Sequence, residues 1–211
     1  MDDPRWCTII FARVPEAGQV KTRLAAGIGD TGALAAYRSL ASLVIGAVRE
    51  SSSYSVAVAY TPESGEAAMR AWLGASLRLI PQAAGDLGAR MAAAIEDAFR
   101  DGARRVVVIG TDCPDVSAVV VEDAFERLAT ADVVLGPAGD GGYYLVGMSR
   151  LHAPLFENVP WSSPHTLRTT LDRARMLELS VALLDERRDI DTADDWRDWL
   201  VRSSQAEPPT S

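Results

Sequence analysis

A chain of 211 residues in which 48% are hydrophobic and 24% are charged has the composition of a soluble globular protein with a full core. Its net charge of −8 excludes a large nucleic-acid-binding surface, which needs Lys and Arg in excess on one face. The N-terminal residues are acidic and no long apolar run follows them, so we expect no signal peptide, a cytoplasmic location and no membrane partner.

Strand-like apolar segments alternate with helical patterns along the chain. Strands are predicted near residues 7–12, 54–60, 77–81, 105–110, 132–136, 143–148 and 181–185. Helices are predicted over residues 30–50, 86–100 and 117–129, and from residue 192 onward. Because such alternation is typical of βαβ units, we expect one α/β domain over residues 1–202, with a mostly parallel central sheet and helices on both faces. Residues 203–211 are polar and Pro-rich and are predicted to form a disordered tail.

The loop after the first strand combines Pro15 and Gly18 with three cations, Arg13, Lys21 and Arg23. Ligands bind at the carboxyl ends of parallel strands, and guanidinium, ammonium and backbone N–H groups donate strong hydrogen bonds to phosphate oxygens. The loop is therefore a candidate nucleotide-phosphate site. Its spacing does not match a Walker A loop. The alternative interpretation is a solvated basic loop.

Two acidic segments follow predicted strands. Asp112 comes directly after the strand at residues 105–110, where it is a candidate Mg²⁺ ligand, since Mg²⁺ is held by one or two carboxylates plus substrate phosphates. The alternative is a carboxylate that caps a turn or helix. The acidic residues 189–195 follow the last strand and could supply another ligand, or could cap the last helix through Asp191 or Thr192.

Three further segments carry candidate ligand-binding residues. The glycine-rich residues 139–142 join two strands, and Asp140 could contact an acceptor or form a plain hairpin turn. Trp161 could stack on a sugar or fill the core. Arg90 could face the nucleotide or lie on a solvated helix face.

The sequence offers little support for other chemistries. Cys7 and Cys113 are too few for a disulfide framework or a cysteine zinc site, and we expect both to be reduced and buried. His152 and His165 have no Cys or His partner at metal spacing, which argues against zinc. No G-x-S-x-G elbow supports a serine hydrolase.

Six segments, taken in order, resemble the DUF2064 family, which is described as glycosyltransferase-like with a GT-A, nucleotide-diphospho-sugar transferase fold. They are residues 11–24, 85–88, 110–114, 140–144, 160–162 and 189–192. The resemblance extends roughly over residues 6–200 and implies a Rossmann-like GT-A fold. The chain departs from the family pattern at Arg13, where the family usually has Lys two residues before the Pro.

The wider superfamily includes nucleotidyltransferases such as 2-phospholactate guanylyltransferase, whose members resemble this chain at residues 21–24 and 189–192. This resemblance implies that Asp112 and Asp191 bind Mg²⁺ or Mn²⁺. It also implies that Arg13, Gly18, Lys21 and Arg23 hold nucleotide phosphates, with residues 85–88 near the base.

The leading hypothesis is a metal-dependent glycosyltransferase that acts from a nucleotide sugar on a small-molecule acceptor. Asp112, Asp140 and Lys21 are the candidate catalytic residues, with Asp140 as the base for an acceptor hydroxyl. The alternatives are a nucleotidyltransferase that joins a nucleoside triphosphate to a phosphorylated small molecule, and a nucleotide-binding protein without catalysis. The oligomeric state stays open. The candidate nucleotide-binding residues are Ala12, Arg13, Pro15, Gly18, Lys21, Thr22, Arg23, Gly85, Asp86, Arg90, Thr111, Gly141, Gly142, Tyr143 and Trp161.

Overall fold

The computed structural model describes residues 5–206 and contains a seven-stranded sheet within that range. The strands are β1 (Trp6–Arg13), β2 (Ser55–Thr61), β3 (Arg78–Pro81), β4 (Arg105–Ile109), β5 (Val133–Pro137), β6 (Tyr143–Met148) and β7 (Val181–Leu183). Their order across the sheet is β3-β2-β1-β4-β6-β5-β7, and only β6 runs antiparallel to its neighbours. The predicted mostly parallel sheet and all seven predicted strands are confirmed.

Helices cover both faces of this sheet, as predicted. The described residues form α1 (Thr22–Val48), α2 (Glu66–Leu73), α3 (Leu87–Arg100), α4 (Ala118–Arg127), α5 (Thr166–Met176) and α6 (Ala193–Ala206). Short 3-10 turns lie at Glu63–Gly65 and Ala153–Phe156.

Two large apolar clusters lie on opposite faces of the sheet. Ile10 of β1 packs with Val44 of α1 and Phe125 of α4, whereas the neighbouring Ile9 packs with Ile95 of α3. Successive strand residues point to opposite faces, so the continuous apolar run of β1 is explained by burial on both sides. Each such fully buried side chain contributes about 1.5–3 kcal/mol to the free energy of unfolding.

Helix α1 begins earlier than the predicted residue 30. The backbone at Gly29 is not helical (φ 75°, ψ 162°), and two helices are joined across a kink there. The second part begins at Asp30, as the sequence predicted. The first part is held by α6, because Leu24 lies in a cluster with Ala193 and Trp196, a contact that local sequence does not reveal.

Helix α1 is also long and apolar enough to cross a membrane by length and composition alone. One such helix is weak evidence of a membrane span, and 44% of its most apolar stretch is buried inside the protein.

Helices α2 and α5 were not predicted. The first has only eight residues, and the second has three Thr and three Arg among eleven residues, so its apolar positions Leu167, Leu171 and Ala174 form a weak pattern. Helix α6 continues to Ala206, so residues 203–206 of the expected tail are helical, while residues 207–211 lie outside the described residues. Cys7 and Cys113 are not joined by a disulfide, and the prediction that both are buried is correct only for Cys113, because Cys7 is half-buried.

Candidate active site

A cleft of about 720 Å³ opens at the carboxyl ends of β1 and β4. The chain leaves β1 toward β2 on one side and returns to β4 on the other, so the cleft lies at the point where strand order reverses, the usual ligand position in open α/β sheets. The predicted site residues that line it are Ala12, Arg13, Lys21, Thr22, Arg23, Arg90, Thr111, Asp112, Tyr143, Trp161 and Asp191. The predicted site residues outside its lining are Pro15, Gly18, Gly85, Asp86, Asp140, Gly141 and Gly142.

The Lys21 ammonium lies between two carboxylates of this cleft. Its Nζ is 2.7 Å from Asp112 Oδ1 and 2.8 Å from Asp191 Oδ1, and it also donates to the Ile190 carbonyl at 2.5 Å. Only 5% of the lysine side chain is exposed. Burial alone would lower the pKa of Lys21, but the charges and hydrogen bonds of the two carboxylates outweigh burial and raise it. Lys21 therefore stays protonated and positively charged at neutral pH.

The backbone of Lys21 is unusual. It caps the N-terminus of α1 in the left-handed conformation (φ 49°, ψ 46°), which is uncommon for a residue other than Gly, and its carbonyl accepts from the Ala25 N–H at 2.8 Å. This residue turns the chain from the loop into the helix while its side chain reaches the two carboxylates.

Two local structures bring Asp112 and Asp191 together. The Ile190 N–H donates to the Asp112 carbonyl at 2.9 Å, which joins the segment after β7 to the end of β4. Thr192 then caps α6: its Oγ1 accepts from the Asp195 N–H at 3.2 Å, and the Asp195 carboxylate accepts from the Thr192 N–H at 2.8 Å. The predicted capping role of Thr192 is confirmed, and Asp191 stays available to the cleft.

Two arginines of the first loop complete the charged end of the cleft. Arg13 is held through its backbone, because the Tyr37 hydroxyl donates to its carbonyl and accepts from its N–H, both at 2.8 Å. Burial raises the pKa of Tyr37 to about 12, so the hydroxyl stays protonated. Arg23 is mostly exposed, with its guanidinium 3.7 Å from Asp191 Oδ2. The structure thus brings the three predicted cations to one cleft.

Residues 85 and 86 lie directly before α3 and do not line the cleft. The Asp86 carboxylate accepts from the Ala89 N–H at 2.8 Å and caps the helix. The Gly85 carbonyl accepts from Arg90 Nε at 2.9 Å. These contacts orient Arg90, which does line the cleft.

Asp140 forms the turn between β5 and β6. Its Oδ1 accepts from the Gly142 N–H at 2.8 Å, and Gly141 has a positive φ of 86°. A Cβ on Gly141 would lie 2.3 Å from the Pro164 carbonyl oxygen, so this turn packs tightly against the next loop. The hairpin alternative therefore describes the local role of Asp140.

An aromatic wall, formed by Tyr143 and Trp161, closes the other side of the cleft. The two rings meet edge to face with centroids 6.3 Å apart, and Trp161 also packs on Phe156. Trp161 packs against the core cluster, as one of its two predicted roles requires, and it also lines the cleft, where stacking on a sugar stays a prediction. Its Nε1 is buried and, among the described residues, has no hydrogen-bond partner.

The sequence profile of DUF2064, described as an uncharacterized protein conserved in bacteria, matches residues 44–163. The chain belongs to the DUF2064 family. Among curated proteins, none matches it at a significant level.

Solved structures match this DUF2064 protein over nearly its whole length. A protein from Desulfovibrio desulfuricans G20, provisionally named a nucleotide-diphospho-sugar transferase, is 31% identical with a TM-score of 0.90, over 96% of this chain and 89% of that one. A nucleotidyl transferase from Methanothermobacter (Mth528) is 15% identical with a TM-score of 0.62, over 94% and 98% of the two chains. Rv0371c from Mycobacterium tuberculosis H37Rv, in a manganese complex, is 16% identical with a TM-score of 0.57, over 94% and 99%. The DUF2064 protein therefore has the fold of nucleotide-using transferases.

The donor set of this DUF2064 protein fits the predicted divalent metal only in part. Within residues 5–204, no group of three or more His, Cys, Asp or Glu side chains is arranged to hold a metal. Two carboxylates are enough for Mg²⁺ when phosphates and water complete its shell, and Asp112 and Asp191 converge on one centre. The pair therefore fits the protein's share of a metal–phosphate site.

Three residues of the cleft were not predicted individually. Tyr37 and Gln82 lie outside the six motifs, and Gln82 Nε2 donates to the Ala59 carbonyl at 2.9 Å. Asp189 was predicted only as part of the acidic segment 189–195, which could supply a ligand. Asp189 also lines the cleft, and its Oδ1 is buried without a hydrogen-bond partner among the described residues. Burial, followed by the charges of Asp112, Asp140 and Asp191, raises the pKa of Asp189 to about 7. Its position two residues before Asp191 was the available signal.

Proposed function

We propose that this protein is a transferase that uses an activated nucleotide, and that it transfers a glycosyl group from a nucleotide sugar to a small-molecule acceptor. The observation that carries the proposal is the cleft at the sheet's switch point, where Lys21 lies between Asp112 and Asp191 with Arg13 and Arg23 beside it. The name given to the 31% identical relative, which this chain matches over 96% of its length, favours a nucleotide sugar as the donor.

The charged end of the cleft suits the donor's diphosphate. Arg13 and Arg23 can donate to phosphate oxygens, and guanidinium groups match them in a two-pronged geometry. When the glycosyl bond breaks, negative charge grows on the departing diphosphate. Fixed cations at this point lower the barrier by about 2.7–4 kcal/mol per well-placed donor.

Asp112 and Asp191 are the residues that would hold Mg²⁺ or Mn²⁺. When bound there, the metal would neutralise charge on the leaving phosphate. The side chains of Asp112 and Asp191 are 47% and 32% exposed, so both are accessible from the cleft.

The aromatic wall is the proposed position of a sugar or acceptor ring. Tyr143 and Trp161 provide flat apolar surface, and Trp161 Nε1 is a donor without a partner among the described residues. Arg90 lies on the same cleft and can meet an anionic group of the acceptor.

A second candidate function is nucleotidyl transfer from a nucleoside triphosphate to a phosphorylated small molecule, with release of pyrophosphate. One observation favours it: Asp140, the predicted base for an acceptor hydroxyl, caps its own turn and lies outside the cleft lining. A phosphate nucleophile needs no base, because it is already ionised at neutral pH.

The test begins with thermal shifts of the full chain against nucleoside triphosphates and nucleotide sugars, with and without Mn²⁺. A ligand at 100 times its dissociation constant adds about 2.7 kcal/mol to the free energy of unfolding. Stabilisation by a nucleotide sugar that is lost in Asp112→Asn supports glycosyl transfer. A flat panel contradicts the nucleotide proposal.

Product analysis of the stabilising donor with an acceptor panel then separates the reactions. Release of a nucleoside diphosphate identifies glycosyl transfer, and release of pyrophosphate identifies nucleotidyl transfer. Binding without any turnover would instead assign a nucleotide-binding protein without catalysis.

A further inference from the structure

Lys21 occupies the point on which the two candidate metal ligands converge. We propose that in the free protein the Lys21 ammonium excludes a divalent metal, and that metal enters only when donor phosphates draw Lys21 away from Asp112 and Asp191. This inference rests on the proposed function, since it concerns the same cleft. It adds that the metal does not bind before the donor: metal and donor bind to the site together.

Lys21 and a metal ion cannot both occupy the position between Asp112 Oδ1 and Asp191 Oδ1. An ammonium has three donors, and those of Lys21 are all used, on Asp112 Oδ1 at 2.7 Å, Asp191 Oδ1 at 2.8 Å and the Ile190 carbonyl at 2.5 Å. A metal that takes the same two oxygens would lie beside the positive charge of Lys21, and the two like charges would repel. Lys21 must therefore move before these two oxygens can share a metal.

The ion pairs of Lys21 are not needed to hold the two acidic segments together. The Ile190 N–H to Asp112 carbonyl bond already joins the two acidic segments, and the mutual cap of Thr192 and Asp195 already starts α6. The two carboxylates also stay partly exposed, whereas Lys21 is 5% exposed. The ion pairs thus face a ligand cleft and are not sealed inside the core.

Phosphate oxygens are the natural exchange partners of the lysine. Arg13 and Arg23 lie on the same loop side of the cleft and line it with Lys21, so a diphosphate bound by them is within the reach of the lysine's flexible four-carbon side chain. The ammonium can exchange carboxylate oxygens for phosphate oxygens and keep charged acceptors throughout. Metal and phosphate should then bind cooperatively, and by linkage each raises the affinity of the other by the same factor.

The first experiment measures Mn²⁺ binding to the full chain by electron paramagnetic resonance, without nucleotide. Wild type should bind Mn²⁺ weakly. Lys21→Met should bind one Mn²⁺ about tenfold more tightly, since a gain of 1.4 kcal/mol corresponds to that factor. The matched control is Arg38→Met, which removes a positive charge from an exposed position of the same helix, α1, but leaves Lys21 between the carboxylates, and should bind like wild type.

The carboxylates can be tested in the same assay. Adding Asp112→Asn to Lys21→Met should abolish the gain, because one of the two ligands is lost. The proposal is overturned if Lys21→Met binds Mn²⁺ no more tightly than Arg38→Met. If Lys21→Met does not fold in metal-free buffer, Mn²⁺ should restore its circular dichroism spectrum, and failure to do so also overturns the proposal.

Wild-type protein supplies a second measurement, with inorganic pyrophosphate as the probe. The thermal shift with Mn²⁺ and pyrophosphate together should exceed the sum of the separate shifts, and this excess should disappear in Lys21→Met. Simply additive shifts in wild type contradict the proposal. The Mn²⁺ assay contains neither donor nor acceptor, so its result is distinguishable from a failure of the proposed transferase activity.

Discussion

The backbone N–H of Ile190 donates to the carbonyl of Asp112 at 2.9 Å, and this bond joins the segment after β7 to the end of β4. It explains why two carboxylates distant in sequence share one lysine. The candidate site is therefore built from three chain segments, at the end of β4, at the start of α1 and before α6. A substitution in any one of these segments should therefore alter the positions of the other two.

Lys21→Met should destabilise the free protein. The variant removes the ammonium between the carboxylates of Asp112 and Asp191 and leaves the Ile190 carbonyl without its lysine donor. Because the carboxylates are partly exposed, we expect a loss of about 1–3 kcal/mol in the free energy of unfolding, below the cost of breaking a fully buried pair. Urea denaturation measures this loss. Arg23→Met should stay within about 0.5 kcal/mol of wild type, since Arg23 is exposed.

Asp112→Asn should remove most of the transferase activity while the protein stays folded. The amide keeps the shape of the side chain but loses the charge that would attract the metal. A metal supplies several kcal/mol of stabilisation to the transition state, so we expect kcat to fall by about 100-fold or more. Steady-state kinetics with the identified donor give this number. Unchanged kcat would remove Asp112 from the proposed metal site.

Asp140→Asn should have a small effect on turnover. The asparagine Oδ1 can still accept from the Gly142 N–H, so the turn is preserved, and the side chain lies outside the cleft lining. We expect kcat/KM to change by less than about threefold, because no interaction with the transition state is removed. A variant that binds the donor normally but loses most turnover would instead establish Asp140 as the acceptor base.

Two Gly→Ala variants should change stability in opposite directions. A Cβ on Gly88 would lie 2.6 Å from Cζ2 of Trp161 and 2.8 Å from the Phe156 carbonyl oxygen, so Gly88→Ala forces the aromatic wall to move, at a cost of about 1–3 kcal/mol. A Cβ on Gly46, in helix α1, meets nothing within 4 Å. Gly46→Ala should stabilise by about 0.5–1 kcal/mol through helix propensity.

Thermal unfolding and tryptophan fluorescence measure both effects. Gly88→Ala should also shift the tryptophan emission, because Trp161 changes its environment, whereas Gly46→Ala should not. Equal stability of Gly88→Ala and wild type would contradict the close approach between α3 and Trp161.

The stability contributed by Asp132 should depend on pH. The hydroxyl and backbone N–H of Ser180 donate to its carboxylate at 2.7 and 2.9 Å and lower the pKa of Asp132. Since the folded pKa lies below the unfolded value of about 3.9, this stabilisation is complete above that pH and is lost as pH falls through the folded pKa. Wild type should exceed Asp132→Asn in stability at neutral pH, and the difference should shrink in strong acid. A difference independent of pH would contradict this assignment.

Local patterns were sufficient to predict every strand of the sheet. Apolar runs such as residues 105–110 indicate buried strands, and turn residues such as Gly141 indicate where strands end. Both signals lie within a few residues of the sequence. For the same reason the sequence placed Arg13, Asp112 and Asp191 at strand or helix ends, where the structure has them. The helix α5 was missed, because its apolar residues Leu167, Leu171 and Ala174 are few among Thr and Arg, and their packing on the core is a tertiary contact.

Apolar periodicity and turn chemistry are enough to predict the α/β architecture, the basic residues after the first strand and the acidic residues at the ends of strands. Three contacts depend on tertiary packing: those of Lys21 with Asp112 and Asp191, the capping of its own turn by Asp140, and the approach of Gly88 to Trp161. Those contacts depend on the order of strands in the sheet and on the antiparallel insertion of β6 between β4 and β5. Strand order is set by packing between distant segments, so the direction of each functional side chain is a property of the whole fold.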